Sequence, residues 1–201
     1  STGINVEDVS VGMGSDARIG SRFLRAGPAY GGSCFPKDTK GLISIADKFK
    51  TNLSIVKSVI KSNNNRKTLL IKRISKIMNN KIKNKKITVL GVTFKANTDD
   101  MRESSSIVLI PYLLKKGGIV KYYDPSGPKK EFKKNKNLKF ENTLSKACVG
   151  ADLIIINTEW DEFKSIDFKK IVKKNNFKIY DMRNLYNPIE LKRRNIKYYS
   201  V

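Results

Sequence analysis

"ITVLGVTFKANTDDMRESSS", residues 87–106, opens on an uncharged, largely apolar run and closes on three serines. The run reads as a strand buried on both faces, and the serines near 104–106 as the start of a helix. Three similar runs follow, "IVKYYD" from 119, "LIIIN" from 153 and "FKIYD" from 177, each set off by helical stretches; a closing "IKYYS" adds an edge strand. Ile/Val/Leu runs alternating with helices predict a parallel sheet covered on both faces. Residues 81–201 are therefore expected to form an open, doubly wound α/β domain that binds its ligand at the carboxyl ends of the strands.

Those strand ends narrow the ligand. No GxGxxG follows any run, so the domain lacks the usual dinucleotide fingerprint. A helix amino terminus near Ser104 would suit an anion, flanked by Lys95 and Arg102, with Arg183 of "DMRN" on the same rim. This predicts a phosphate-bearing ligand. Among 41 Lys and Arg, each of these three also has a plainer reading as a solvated loop charge.

Residues 1–80 read as a separate helical segment, joined to the sheet by a lysine- and asparagine-rich hinge, "NNKIKNKK" at 79–86. "NVEDVSVG" (5–12) has an Asn start, early acids and a Gly stop, which predicts a short helix. A glycine-rich loop spans 13–35. A second helix is expected from Pro36, burying Leu42, Ile43, Ile45, Ala46 and Phe49. A third is expected over 53–79, burying Ile55, Val56, Val59, Ile60, Leu69, Leu70, Ile71, Ile74 and Ile77.

The net charge of +23 raises the question of nucleic acid. Its excess is nearly all lysine, dispersed with Asn and Ile, without a zinc finger, an RNP-like aromatic strand or an arginine cluster, so no nucleic-acid partner is expected. Histidine is absent, which removes Ser-His-Asp and Cys-His chemistry and most zinc sites. No run reaches membrane-spanning length, no leader segment is evident and two cysteines make no disulfide framework; a soluble, cytoplasmic protein is expected, without membrane or metal.

The two cysteines differ in setting. Cys148, in "LSKACVGAD", reads as core at a helix end. Cys34, in "GPAYGGSCFPKDTKGL" (27–42), follows a Gly-Gly pair that allows close backbone approach, and precedes a helix start and Lys37. Both neighbours favour a thiolate. Asp38, in the same turn, is placed to handle a water or a proton. The plainer alternative is a small buried thiol.

"RIGSRFLRAGPAYGGSCFPKDTKGL" (18–42), "LGVTFKANTDDMRESSSIVLI" (90–110) and "NTEWDEF" with "YDMRN" (157–163, 180–184) together resemble the nucleotide-sugar dehydrogenases, the UDP-glucose/GDP-mannose dehydrogenase family. The order and spacing match over essentially the whole chain, and "GGSCFPKD" is similar to the UDP-glucose branch. Ala29 stands where the family usually has glycine, and Ser105 where it often has proline. The resemblance implies NAD-dependent oxidation of a UDP-glucose alcohol to UDP-glucuronate through a thiohemiacetal and a thioester on Cys34, with Asp38 assisting. It implies Lys37 and Arg102 toward NAD, and Phe23, Leu24, Arg25, Ala26, Gly27, Tyr30, Gly31, Lys95 and Arg183 toward the UDP-sugar. It further implies that Arg18 reaches a neighbouring subunit's substrate in a dimer built on the helical segment. Family members carry an NAD-binding domain ahead of this region, so the chain reads as a fragment not expected to turn over alone. A stand-alone nucleotide-sugar-binding module, or an enzyme acting on another sugar nucleotide such as GDP-mannose, is the alternative.

Overall fold

The computed structural model describes residues 4–21 and 23–201. Three helices come first, α1 (Val6–Gly14), α2 (Cys34–Lys48) and α3 (Ser54–Ile77). Then follow β1 (Lys86–Leu90), α4 (Ser106–Lys115), β2 (Ile119–Tyr123), β3 (Leu138–Phe140), α5 (Leu144–Cys148), β4 (Leu153–Ile156), α6 (Phe168–Val172), β5 (Lys178–Asp181), α7 (Pro188–Arg193) and β6 (Lys197–Ser200). The six strands form one sheet in the order β3-β2-β1-β4-β5-β6, parallel at every pairing. The chain is thus α/β and doubly wound, as the apolar runs predict. The closing edge strand is β6; the short β3 has only "LKF" to mark it and escapes the sequence reading.

Alternation along the strands splits the core into two layers. Ile87, Val89, Leu153, Ile155 and Tyr180 face α3 and α4, meeting Leu70, Ile74, Leu109 and Leu113. Leu90, Ile154, Ile156 and Ile179 face the other way, onto Cys148, Phe163, Phe168, Val172 and Leu191. All four residues of β4 are fully buried, the mark of a central strand covered on both sides. At the end of β1 the chain must turn sharply: Gly91 has φ +72°, and a Cβ there would lie 2.4 Å from Thr158 Cβ.

Several expectations are corrected. The 79–86 segment is a docked turn rather than a hinge. Asn79, Asn80 and Asn84 take left-handed φ values, Ile82 is buried in the core, and Asn84 N–H donates to Gly117 O at 2.8 Å. The helix expected from Pro36 begins two residues earlier, at Cys34, with Pro36 inside its first turn, where the missing N–H costs nothing. The periods of α2 and α3 are right, but much of the expected burial is not met. Leu42, Ile45, Phe49, Ile55, Val59 and Leu69 are exposed, Ile55 at 79 % and Phe49 at 71 %. Only the carboxyl-terminal half of α3 lies on the sheet, through Leu70, Ile74 and Ile77; α3 also packs against α2, where Ala46 is buried, but among the described residues nothing covers Ile45, Phe49, Ile55 and Val59.

Candidate functional site

Cys34 is the first residue of α2 and is exposed, with Ser33 Oγ 3.6 Å from its Sγ. The turn before it is pressed onto the loop that follows β1. Gly32, at φ +82°, donates its N–H to Arg102 O at 2.8 Å, and a Cβ on it would lie 2.7 Å from the Phe94 ring. A Cβ on Gly31 would lie 2.9 Å from Glu103 O. The Gly-Gly pair is therefore required by close approach of backbone, although what approaches is the 91–105 loop of the same chain.

Helix α3 holds the other side of this turn. Asn63 accepts from Tyr30 N–H at 2.9 Å and donates to Tyr30 O at 3.2 Å; Arg66 Nε donates to Gly27 O at 3.0 Å. The Tyr30 ring meets Phe35 edge-on, centroids 4.6 Å apart. Behind Gly27 stands Arg183, whose Nη1 lies 3.1 Å from where a Cβ would be. Arg183 donates to Asn157 O and Phe94 O, both at 2.9 Å, and its Nε lies 2.9 Å from Glu159 Oε2. Burial lowers its pKa, with Glu159 and Asp181 acting in opposition. Arg183 thus binds the ends of β1 and β4 to one another beneath the cysteine loop.

In front of the turn lies a cleft of about 640 Å³ lined by Gly32, Ser33, Pro36, Lys37, Lys40, Arg102 and Glu103. Lys37 and Asp38, one turn along α2 from Cys34, are exposed, with Lys37 Nζ 3.6 Å from Asp38 Oδ1. Arg102 is held to the Asp100 carboxylate at 2.8 Å, and those hydrogen bonds raise its pKa. Asp100 is lowered in return, chiefly by the Arg102 side chain. Lys95 is exposed, its Nζ 5.4 Å from the Phe94 ring centroid.

The structure brings Gly27, Tyr30, Gly31, Cys34, Lys37, Asp38, Arg102 and Arg183 into one continuous region around two loops. It does not bring Arg18 or Phe23 into the cleft. Arg18 is paired with its neighbour Asp16 at 2.6 Å, and Phe23, at φ +70°, is 93 % exposed. Leu24 and Ala26 are half-buried and Arg25 is exposed on the same approach. The anion site expected at the start of α4 is partly closed. Ser104 and Ser106 both donate to Val92 O, Ser105 donates to Asn157 Oδ1, and all three are buried. Their hydroxyls stitch β1 to α4; Lys95 and Arg102 are what the loop presents outward. Asp124, at the end of β2, is likewise turned inward, accepting from Val92 and Thr93 N–H at 2.7 and 3.3 Å.

Residues missed by the sequence reading are Asn63, Arg66, Lys67, Lys40 and Glu103. Four of these are polar side chains on helices; Asn63 and Lys67 fall on the three-four stripe of Ile60, Leu70 and Ile74, which was the available signal, whereas Lys40 and Arg66 look like solvated charges. Glu103 carried a faint signal as a carboxylate in a chain of 41 basic and 18 acidic residues. Among the described residues no group of three potential metal ligands occurs, and no helix is long and apolar enough to cross a membrane.

Comparison with known proteins gives this geometry a context. The family model for the UDP binding domain of the UDP-glucose/GDP-mannose dehydrogenases matches residues 88–188, and that for their central domain matches residues 1–65. The chain belongs to the UDP-glucose/GDP-mannose dehydrogenase family. It is 41% identical over 202 residues to the UDP-glucose 6-dehydrogenase of Rickettsia felis, covering 99% of this chain and 45% of that protein. With UDP-glucose 6-dehydrogenase YwqF of Bacillus subtilis the identity is 37% over 203 residues, covering 99% and 46%. Among solved structures it is similar to a UDP-glucose dehydrogenase from Pyrobaculum islandicum (TM-score 0.79, 26% identity, 99% of this chain and 44% of that one). It is also similar to an NDP-N-acetyl-D-galactosaminuronic acid dehydrogenase from Methanosarcina mazei (TM-score 0.81, 25% identity, 99% and 44%). The chain spans about half the length of the curated relatives it matches.

Proposed function

We propose that this chain carries the catalytic cysteine and the nucleotide-sugar site of an NAD-dependent dehydrogenase that oxidises UDP-glucose to UDP-glucuronate. Residues 1–80 are the cysteine-bearing helical segment and residues 81–201 the nucleotide-sugar domain. The observation that carries this reading is the placement of Cys34: exposed, at the first residue of a helix, with its Gly-Gly turn fastened to the loop of the UDP binding domain. A helix start stabilises a thiolate, and the reaction needs a group that both adds to a carbonyl and leaves from an acyl carbon.

The sheet itself fits a dinucleotide poorly. Its first loop has no glycine fingerprint, and Asp124, at the end of the second strand, is occupied with backbone N–H groups. The fit lies at the exposed rim, where Lys37 and Arg102 offer positive charge beside Cys34. In this reading NAD meets the chain there, and when bound it accepts a hydride in each of two steps, alcohol to aldehyde and thiohemiacetal to thioester. Between those steps the Cys34 sulfur adds to the aldehyde carbon, and the carbonyl oxygen takes a proton. In the last step water adds to the thioester, Asp38 takes its proton, the carbon–sulfur bond breaks and the carboxylate leaves. Residues 23–27, Tyr30, Gly31 and Lys95 line the UDP-sugar; Arg183 supports them from below. Arg18, exposed and paired with Asp16, is assigned to a neighbouring subunit's substrate, in a homodimer built on the apolar faces of α2 and α3.

Calorimetry of UDP binding to this chain tests the substrate half of the proposal. Binding without NAD is expected, weakened by Lys95→Ala. No heat from a folded sample at millimolar UDP would contradict it.

A further inference from the structure

Glu103 ends the loop that the cysteine turn rests on, and its two carboxylate oxygens go to different helices. Lys40 Nζ, on α2, lies 3.3 Å from Oε1, and Lys67 Nζ, on α3, lies 2.9 Å from Oε2. Its peptide oxygen packs against Gly31, and the carbonyl of the preceding residue accepts from Gly32 N–H. The carboxylate thus ties Glu103 to both helices, while the backbone of Arg102 and Glu103 meets the two glycines that lead into Ser33 and Cys34.

Two features show that this arrangement is held rather than incidental. Glu103 takes φ +56°, a left-handed conformation that a residue with a Cβ adopts at a cost and keeps only where its surroundings impose it. The Lys67 side chain is only 10 % exposed, so its charge needs a partner, and Glu103 is the carboxylate within reach. Pairing Lys67 alone would use one oxygen. The second reaches across to Lys40, six residues along the cysteine's own helix.

We propose that Glu103 is a positioning residue for Cys34, clasping α2 and α3 to the 91–105 loop so that the Gly31–Gly32 turn keeps the thiol at the mouth of the cleft beside Arg102. The inference rests on the reading of Cys34 as the nucleophile. Glu103 touches no reacting atom in it; it acts through the turn.

The test uses this chain with two variants, Glu103→Gln and Lys40→Met, chosen because charge and position predict opposite signs. Iodoacetamide alkylation of Cys34 is followed across pH, with buried Cys148 as an internal reporter of unfolding. Removing a carboxylate by Glu103→Gln makes the surroundings more positive, so a pure charge effect would speed alkylation. Loss of position detaches the helix start from Arg102 and is expected to slow it about three- to tenfold at neutral pH. For Lys40→Met the readout is hydrogen exchange at the Gly32 amide. Loss of a cation alone would slow this base-catalysed exchange, whereas release of the clasp is expected to speed it about tenfold, with amides of β4 unchanged. Lys40 is exposed, so this variant keeps the proposal testable if Glu103→Gln fails to fold. Cys34 alkylation in Glu103→Gln as fast as in the parent with Cys148 protected, or Gly32 exchange in Lys40→Met unchanged or slower, overturns it. Failure of the nucleophile reading would show separately, as a parent Cys34 no more reactive than an unstructured thiol.

Discussion

At the residue scale, the chain contrasts two cysteines placed by the same physics. Cys148 closes α5 under the sheet with no exposed surface, and burial pushes its thiol up to about 12. Cys34 opens α2 in the open, next to a basic cleft. Thiolate is the reactive form, so iodoacetamide at neutral pH should modify Cys34 faster than Cys148 by on the order of a hundredfold or more. Peptide mass mapping against time reads the ratio; comparable rates in folded protein would return Cys34 to a structural role. The contrast was legible in the sequence because it is local: Gly-Gly before one thiol, a helix end and apolar neighbours around the other. The precise helix start was not, since Pro36 is tolerated throughout a first turn and Cys34 itself begins the helix.

At the scale of elements, the strands were legible where both faces are buried and the helices where the apolar period is long. β3 was missed because a three-residue edge strand offers too little pattern, and its three residues are at most half-buried. The failures on α2 and α3 are of another kind. Periodicity reports which face is apolar but not what covers it, and here Ile45, Phe49, Ile55 and Val59 are left in the open. The homodimer proposal gives that face its partner. Ile55→Glu with Val59→Glu is expected to convert dimer to monomer in sedimentation velocity while leaving the circular dichroism of the folded chain unchanged, since neither side chain is buried within it. A parent chain that sediments as a monomer at high concentration, or a variant that remains dimeric, would remove these helices from the interface.

At the scale of the whole molecule, 41 basic side chains surround 18 acidic ones, and several carboxylates act as pins. Lys67, with Lys40 behind it, holds Glu103 below its usual range. For Glu141 burial acts upward, but Lys121 and Lys139 more than offset it and the net shift is down. A carboxylate lowered in the fold contributes stability above its unfolded value, here about 4.5, and loses it as pH falls through the lower folded value. Asp181 is raised by burial and offsets part of that loss. The thermal midpoint should therefore be level from neutrality to about pH 5 and fall below about 4.5, and the fall should be shallower in Glu103→Gln; a midpoint flat down to pH 3 would contradict these pins. The sheet and the cysteine loop were legible because apolar runs and glycine placement are local signals. The fastening between them was not, because it runs through Asn63, Arg66, Lys67 and Arg183, which only the tertiary fold brings to the loop. The central claim is that Cys34 carries the acyl intermediate. Its most direct test is UDP-glucuronate formation from UDP-glucose and NAD by the full-length protein carrying Cys34→Ala: the account predicts retained UDP-sugar binding with no glucuronate, and glucuronate formed at the parent's rate would contradict it.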